Sequence, residues 1–219
     1  MDDAVLAPDL AVRVSHREVL RNLGYPRGRA PAEKVARRLD DLWPRAEALI
    51  TPRGAFRVVS QARAEATAMP RPTAQVGVGL CTIGPDLEAR ERALSADDRM
   101  LEALLLDAFG SAAAEAAADA LNALVCAHAQ DMGLRVLPRF SPGYGRWDVK
   151  HQRQLLALLP AEELGVHLTE GMMMIPRKSV SFAVRLSADA DEGRVDRRHC
   201  ARCDLDGCAF RAEPYEAEE

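Results

Sequence analysis

The 219-residue sequence is poor in aromatics, with two Trp, three Tyr and five Phe, and this argues against stacking platforms for bases. It has no basic excess either. Twenty-nine Lys and Arg stand against 33 Asp and Glu, a net charge of −4, which excludes a general nucleic-acid binder. No apolar run approaches the roughly 20 residues a membrane helix needs, so no membrane partner is expected. Met1-Asp2-Asp3 is acidic and no basic-then-apolar leader follows, so a cytoplasmic protein is expected. Phosphate-binding fingerprints are missing as well. There is no Walker loop, and Gly77 and Gly79 lie inside a strand pattern without a third glycine or a helix behind them. What remains is ordinary for a globular chain, 48% hydrophobic and 28% charged. The length allows one large domain or one domain with an appendage. It is too short for an enzyme with its own substrate barrel and cofactor domain.

Residues 1–30 read as a short extended or helical arm. Val35, Leu39, Leu42, Leu49 and Ile50 recur at near-helical spacing, and Pro44 is expected to break or kink that helix. A short strand over 55–59 and a turn or linker over 68–75 follow. Val76 to Ile83 alternates small and apolar residues and reads as a buried strand. Pro85 suits the first turn of a helix reaching about Leu94. Residues 97–131 form the strongest helical block, with an alanine-rich centre that lets another backbone approach closely. Glu115 stands alone there, either on a solvent face or aimed at a ligand. Residues 133–150 read as a shaped loop, 150–160 as helix, and 179–186 as a strand. Met172-Met173-Met174 reads as core filling or as a face for a flat cofactor such as a corrin ring. Residues 187–198 are charged and expected to be exposed, and the acidic stretch Glu213 to Glu219 is expected to be disordered.

Taken by itself, Arg139-Phe140-Ser141-Pro142-Gly143-Tyr144 is either a Pro-Gly turn whose Arg caps a helix end or a binding loop. Two further segments follow it in order: Leu164-Gly165-Val166-His167-Leu168-Thr169-Glu170 and Met174-Ile175-Pro176-Arg177-Lys178-Ser179-Val180-Ser181. Together they resemble the activation domain of cobalamin-dependent methionine synthase. That family shows an Arg-x-x-x-Gly-Tyr signature, then Leu-Thr-Glu, Met-x-Pro and Ser-Val-Ser. Glu115 is similar to the family's acidic helix position, while little before about residue 75 matches.

The resemblance implies an α+β fold over residues 1–195, a twisted, mostly antiparallel sheet flanked by helices. It also implies a free-standing activation module that binds S-adenosylmethionine. Such a module supports reductive methylation, in which one electron and the donor's methyl return cob(II)alamin to methylcobalamin. Arg139, Ser141, Gly143 and Tyr144 would form the S-adenosylmethionine site, with Glu115 on the ligand's ammonium. The residue types suit the ligand. Arg139 can grip a carboxylate with two donors, Gly143 lets backbone come close, the Ser141 backbone can hydrogen-bond, and Tyr144 offers a ring and a hydroxyl. The implied partners are a cobalamin-binding protein or split methionine synthase and an electron donor such as a flavodoxin or ferredoxin. The sequence has no Asp-x-His-x-x-Gly stretch, and neither His151 nor His167 is expected to ligate cobalt, so cobalamin would sit on the partner. Two other readings stay open: a non-catalytic subunit of a multi-component methionine synthase, and a metal-binding adaptor without methyl transfer.

The adaptor reading draws on residues 196–219, a Cys-rich tail where the chain departs from the family. Cys200-x-x-Cys203-x-x-x-x-Cys208 has a spacing that can converge on one soft metal. Without an export signal, metal is favoured over a disulfide. An iron–sulfur cluster, a zinc ion completed by His199, Cys81, Cys126 or His128, and no metal at all remain open. A metal here predicts iron or zinc in anaerobically purified protein, lost in Cys203→Ser, with visible absorption if the centre is iron–sulfur. Metal analysis with an optical spectrum checks this, and a colourless, metal-free protein removes the metal role.

Overall fold

Strand alternation over Gln75–Thr82 puts Gly77, Gly79 and Cys81 on one face of the central sheet, and the longest helix packs on that face. A computed structural model describes residues 3–25 and 28–188. The cysteines Cys200, Cys203 and Cys208, the tail over 196–219 and its acidic end lie outside the described residues.

The chain begins with β1 (Val5–Ala7), α1 (His16–Asn22) and α2 (Glu33–Ala48). The stretch expected to be an arm therefore supplies an edge strand and a helix to the body of the fold. Pro44 sits inside α2 without ending it. Leu39, Leu42 and Ala46 are buried on the inner face of that helix, and this packing holds the turn across the hydrogen bond that Pro cannot donate. Next come β2 (Arg53–Ser60), the short α3 (Gln61–Glu65), β3 (Gln75–Thr82), α4 (Asp86–Ala96) and α5 (Met100–Asp131). After α5 the chain forms β4 (Arg135–Val136), a 3-10 turn over Val149–His151, α6 (Gln152–Leu156), β5 (His167–Leu168), β6 (Met174–Ile175) and β7 (Ser179–Ser187).

The main sheet has the order β1-β2-β3-β7-β4, and every pairing in it is antiparallel. β5 and β6 form a separate antiparallel pair. The α+β expectation of a mostly antiparallel sheet flanked by helices is what the structure shows.

One face of the sheet carries Gly54, Phe56, Gly77, Gly79, Cys81, Phe182, Val184 and Leu186, and α5 lies across it. A Cβ on Gly77 would come within 2.9 Å of Val125 on α5, and one on Gly54 within 3.1 Å of Leu121. The glycines thus set how closely the helix approaches. Alanines 112, 113, 114, 117 and 118 of α5 are buried in the same core, because α1, α2 and α4 pack on the helix from its other sides. The opposite face of the sheet carries Val59, Val76, Val78, Leu80 and Ala183. It is covered by Trp147, α6 and the segment around Leu159, Leu164 and Val166.

The methionine trio does not fill the core as one reading of the sequence expected. Met173 is 54% exposed, Met172 takes a left-handed backbone at φ 64, and only Met174 packs against the second core. A tight turn explains this. Thr169 N–H donates to Met173 C=O (2.9 Å), and Met172 N–H returns to Thr169 C=O (3.0 Å).

The closest approach in the sheet predicts a destabilising substitution. A Cβ at Gly79 would lie 2.5 Å from Cζ of the buried Phe182 ring. Gly79→Ala is expected to lower stability by about 1–3 kcal/mol through overpacking. Adding Phe182→Leu should relieve part of that loss, so urea denaturation of the double variant should show non-additivity.

Candidate functional site

The loop after β4 is anchored before it reaches its exposed tip. Leu137 N–H donates to Arg185 C=O (2.9 Å), and Phe140 exchanges two hydrogen bonds with Ala183 (3.0 and 2.8 Å), so residues 135–140 extend the edge along β7. On the far side of the loop, Trp147 is buried and its indole N–H donates to Thr67 C=O (2.9 Å). Its ring also meets Phe140, with centroids 5.3 Å apart. Between these anchors the backbone turns sharply. Gly143 has φ 94, a conformation side chains rarely adopt, and donates to Trp147 C=O at 2.7 Å. Tyr144 N–H donates to Ser141 C=O (3.2 Å), and the Tyr144 side chain is 66% exposed at the tip.

Arg139 leaves this anchored edge toward α5. Its guanidinium sits 5.5 Å over the Phe182 ring, an arrangement of cation on π face. One terminal nitrogen, Nη2, donates to Glu115 at 3.0 Å and lies 3.3 Å from Asp119. The other, Nη1, is buried and has no hydrogen-bond partner. The Arg139 side chain is only 11% exposed, whereas its two carboxylate partners are open to solvent at 54% and 78%. The structure therefore brings Arg139 and Glu115 together and puts Ser141, Gly143 and Tyr144 in the adjoining turn. Glu115 is half exposed, as its solvent-facing reading expects, and is also fixed on the loop arginine.

Asp119 was missed by sequence reading, although a signal existed. Asp107, Ser111, Glu115 and Asp119 recur every four residues, which puts them on one stripe of α5. The stripe's other end is engaged as well. Lys178 Nζ donates to Asp107 (2.6 Å) and Ser111 (2.8 Å), while its backbone N–H donates to the buried Glu88 (2.7 Å). A Cβ on Gly110 would sit 3.2 Å from Lys178 Cε, so the glycine leaves the lysine stem room to lie across the helix. Arg177 pairs with Glu91 at 2.8 Å, tying the start of β7 to α4. The family-like segment ending in Ser181 thus runs from the turn at Met172, through these pairs, into the strand under the site.

Cys81 lies below the same charges. Burial pushes its thiol up to about 12, opposed by the nearby Arg139 cation and reinforced by Glu115 and Asp119, and its sulfur donates to Val180 C=O at 3.7 Å. A fully buried, protonated thiol is a core group and a poor metal ligand. Among the described residues, no group of three or more His, Cys, Asp or Glu is placed to hold a metal. No helix among them is long and apolar enough to cross a membrane.

The raised Cys81 value has a sign that can be measured. In the unfolded chain the thiol ionises near its ordinary value of 9.0, and in the fold near about 12. Its contribution to stability is therefore intact below that ordinary value and is lost as pH rises toward the folded one. Denaturant stability followed from about pH 8 to about pH 11 should fall less steeply in Cys81→Ala than in the wild type.

Comparison with known proteins places this geometry in a family. The model of the vitamin B12 dependent methionine synthase activation domain matches residues 70–197. That span contains β3, α5, the Arg139 loop and β7. Among solved structures, the MetH reactivation domain bound to AdoHcy shares the fold, with a TM-score of 0.60 at 17% identity over 87% of this chain and 82% of that one. No curated protein sequence matches. With more than half of its length covered by the family model, the chain belongs to the vitamin B12-dependent methionine synthase activation domain family.

Proposed function

We propose that the Arg139 loop and the facing stripe of α5 bind S-adenosylmethionine and that the protein presents the donor's methyl group to cobalamin held on a separate protein. The observation that carries this reading is the state of Arg139. A mostly buried arginine, locked by two carboxylates and an aromatic face, keeps Nη1 inside the fold without a partner. Leaving a buried donor unpaired costs about 1–3 kcal/mol, so a site that a ligand carboxylate completes makes physical sense of it. The S-adenosylhomocysteine in the related MetH domain supports the same ligand class.

The chain's own contribution is binding and orientation. Arg139 would take the ligand carboxylate on Nη1. Glu115, close by, would take the ammonium. Gly143 turns the loop so that the Ser141 backbone and the Tyr144 ring flank the ligand. Cobalamin on the partner supplies a cobalt nucleophile when reduced, so no general base is required of this chain. The expected partners are a cobalamin-binding protein or a split methionine synthase, with a flavodoxin or ferredoxin as the electron source. The cysteines Cys200, Cys203 and Cys208 remain candidates for a metal of their own, an iron–sulfur cluster or zinc.

Calorimetric titration of the whole protein tests the site. S-adenosylmethionine should bind with an affinity on the order of micromolar, and Arg139→Ala should weaken it at least about tenfold, the loss of a charge-assisted hydrogen bond. Arg139→Lys keeps the charge and lets failure of folding be told apart from loss of binding. Wild-type protein that binds no S-adenosylmethionine refutes the reading.

A further inference from the structure

We propose that Asp119 makes this site select a ligand of net positive charge, so that S-adenosylmethionine binds in preference to its demethylated product. The inference rests on the methyl-donor reading above and adds a specificity-determining residue to it. Arg139 is one cation serving two carboxylates, at 3.0 Å to Glu115 and 3.3 Å to Asp119. The three side chains together carry one negative charge in excess. Toward the start of α5 the next charged side chain, Asp107, pairs with Lys178 of the segment before β7 at 2.6 Å and leaves that balance unchanged.

The methyl donor matches the balance group for group. Its carboxylate would pair with the buried, unpartnered Nη1 of Arg139. Its two cationic groups, the ammonium and the sulfonium, meet two carboxylates. When the methyl transfers to cobalt, the electron pair of the S–CH3 bond stays on sulfur, which becomes an uncharged thioether. S-adenosylhomocysteine then has one cation for two carboxylates, and the excess charge returns. Glu115 alone would balance a single ammonium, so discrimination needs the second carboxylate. The surplus also favours product release once transfer is complete.

Asp119 is 78% exposed, so its effect is screened and modest. A charge about 6 Å away through a water-like dielectric changes affinity by about threefold. The test titrates the full chain with S-adenosylmethionine and with S-adenosylhomocysteine, in wild type, Asp119→Asn and Asp119→Glu. The wild type should favour the charged donor. Asp119→Asn should weaken the donor by that factor and leave the product unchanged, and Asp119→Glu should restore the ratio. Rising salt should shrink the wild-type preference. If Asp119→Asn weakens both ligands equally, or leaves their ratio where it was, the inference is overturned and the methyl-donor reading stands. If the wild type binds neither ligand, both fall together.

Discussion

The close approach of α5 to the sheet is the constraint on which the rest depends. Gly54, Gly77 and Gly79 remove side chains from the strands, and a run of alanines thins the facing helix. Only such a pairing brings a helix backbone near enough for Arg139, projecting from the sheet's outer edge, to reach carboxylates on that helix. The same thinning lets the far edge of the Phe182 ring reach over Gly79, with the guanidinium above the ring. Larger residues would move α5 outward and separate the charges.

Electrostatics then act within a mixed setting. Arg139 is nearly buried while its carboxylate partners face water, so the cation is fixed and the anions keep part of their hydration. Fully buried, the trio would carry a heavy desolvation cost. At the rim it holds an arginine in place and leaves one of its buried donors without a partner. Lys178 repeats the device one stretch further along α5, where its charge is closed off by Asp107 and Ser111. One stripe of the helix thus carries a closed cation and an open one.

Much of the fold was legible because it depends on local pattern. The alternation over Val76 to Ile83, the alanine-rich helix and the strand ending the family-like segment are all where periodicity puts them. The failures have tertiary causes. Pro44 was expected to break or kink α2, and the break does not occur because burial of the helix's inner face against the core outweighs one missing hydrogen bond. The region before residue 30 read as a short extended or helical arm, and what the sequence did not show is that pairing with β2 makes Val5–Ala7 an edge strand of the main sheet. The methionines read as core filling or as a face for a flat cofactor; Met174 does pack on the second core, but the turn closed by Thr169 points Met173 outward.

The site divides in the same way. The Arg139 to Tyr144 series and its followers identified the loop and the family from sequence, because a turn needing Gly at a left-handed position and a fixed order of motifs are local properties. Glu115 was visible as an odd carboxylate among alanines, but its partner was not. Asp119, Lys178 and the open nitrogen of Arg139 came only from the folded chain. A four-residue spacing says which side chains share a helix face, whereas which cation crosses to meet them depends on how closely sheet and helix pack. The sequence by itself determined the three long strands of the main sheet, the long helix and the ligand-class resemblance. The tertiary structure decided the charge balance of the site, because that balance is set by distances between elements far apart along the chain.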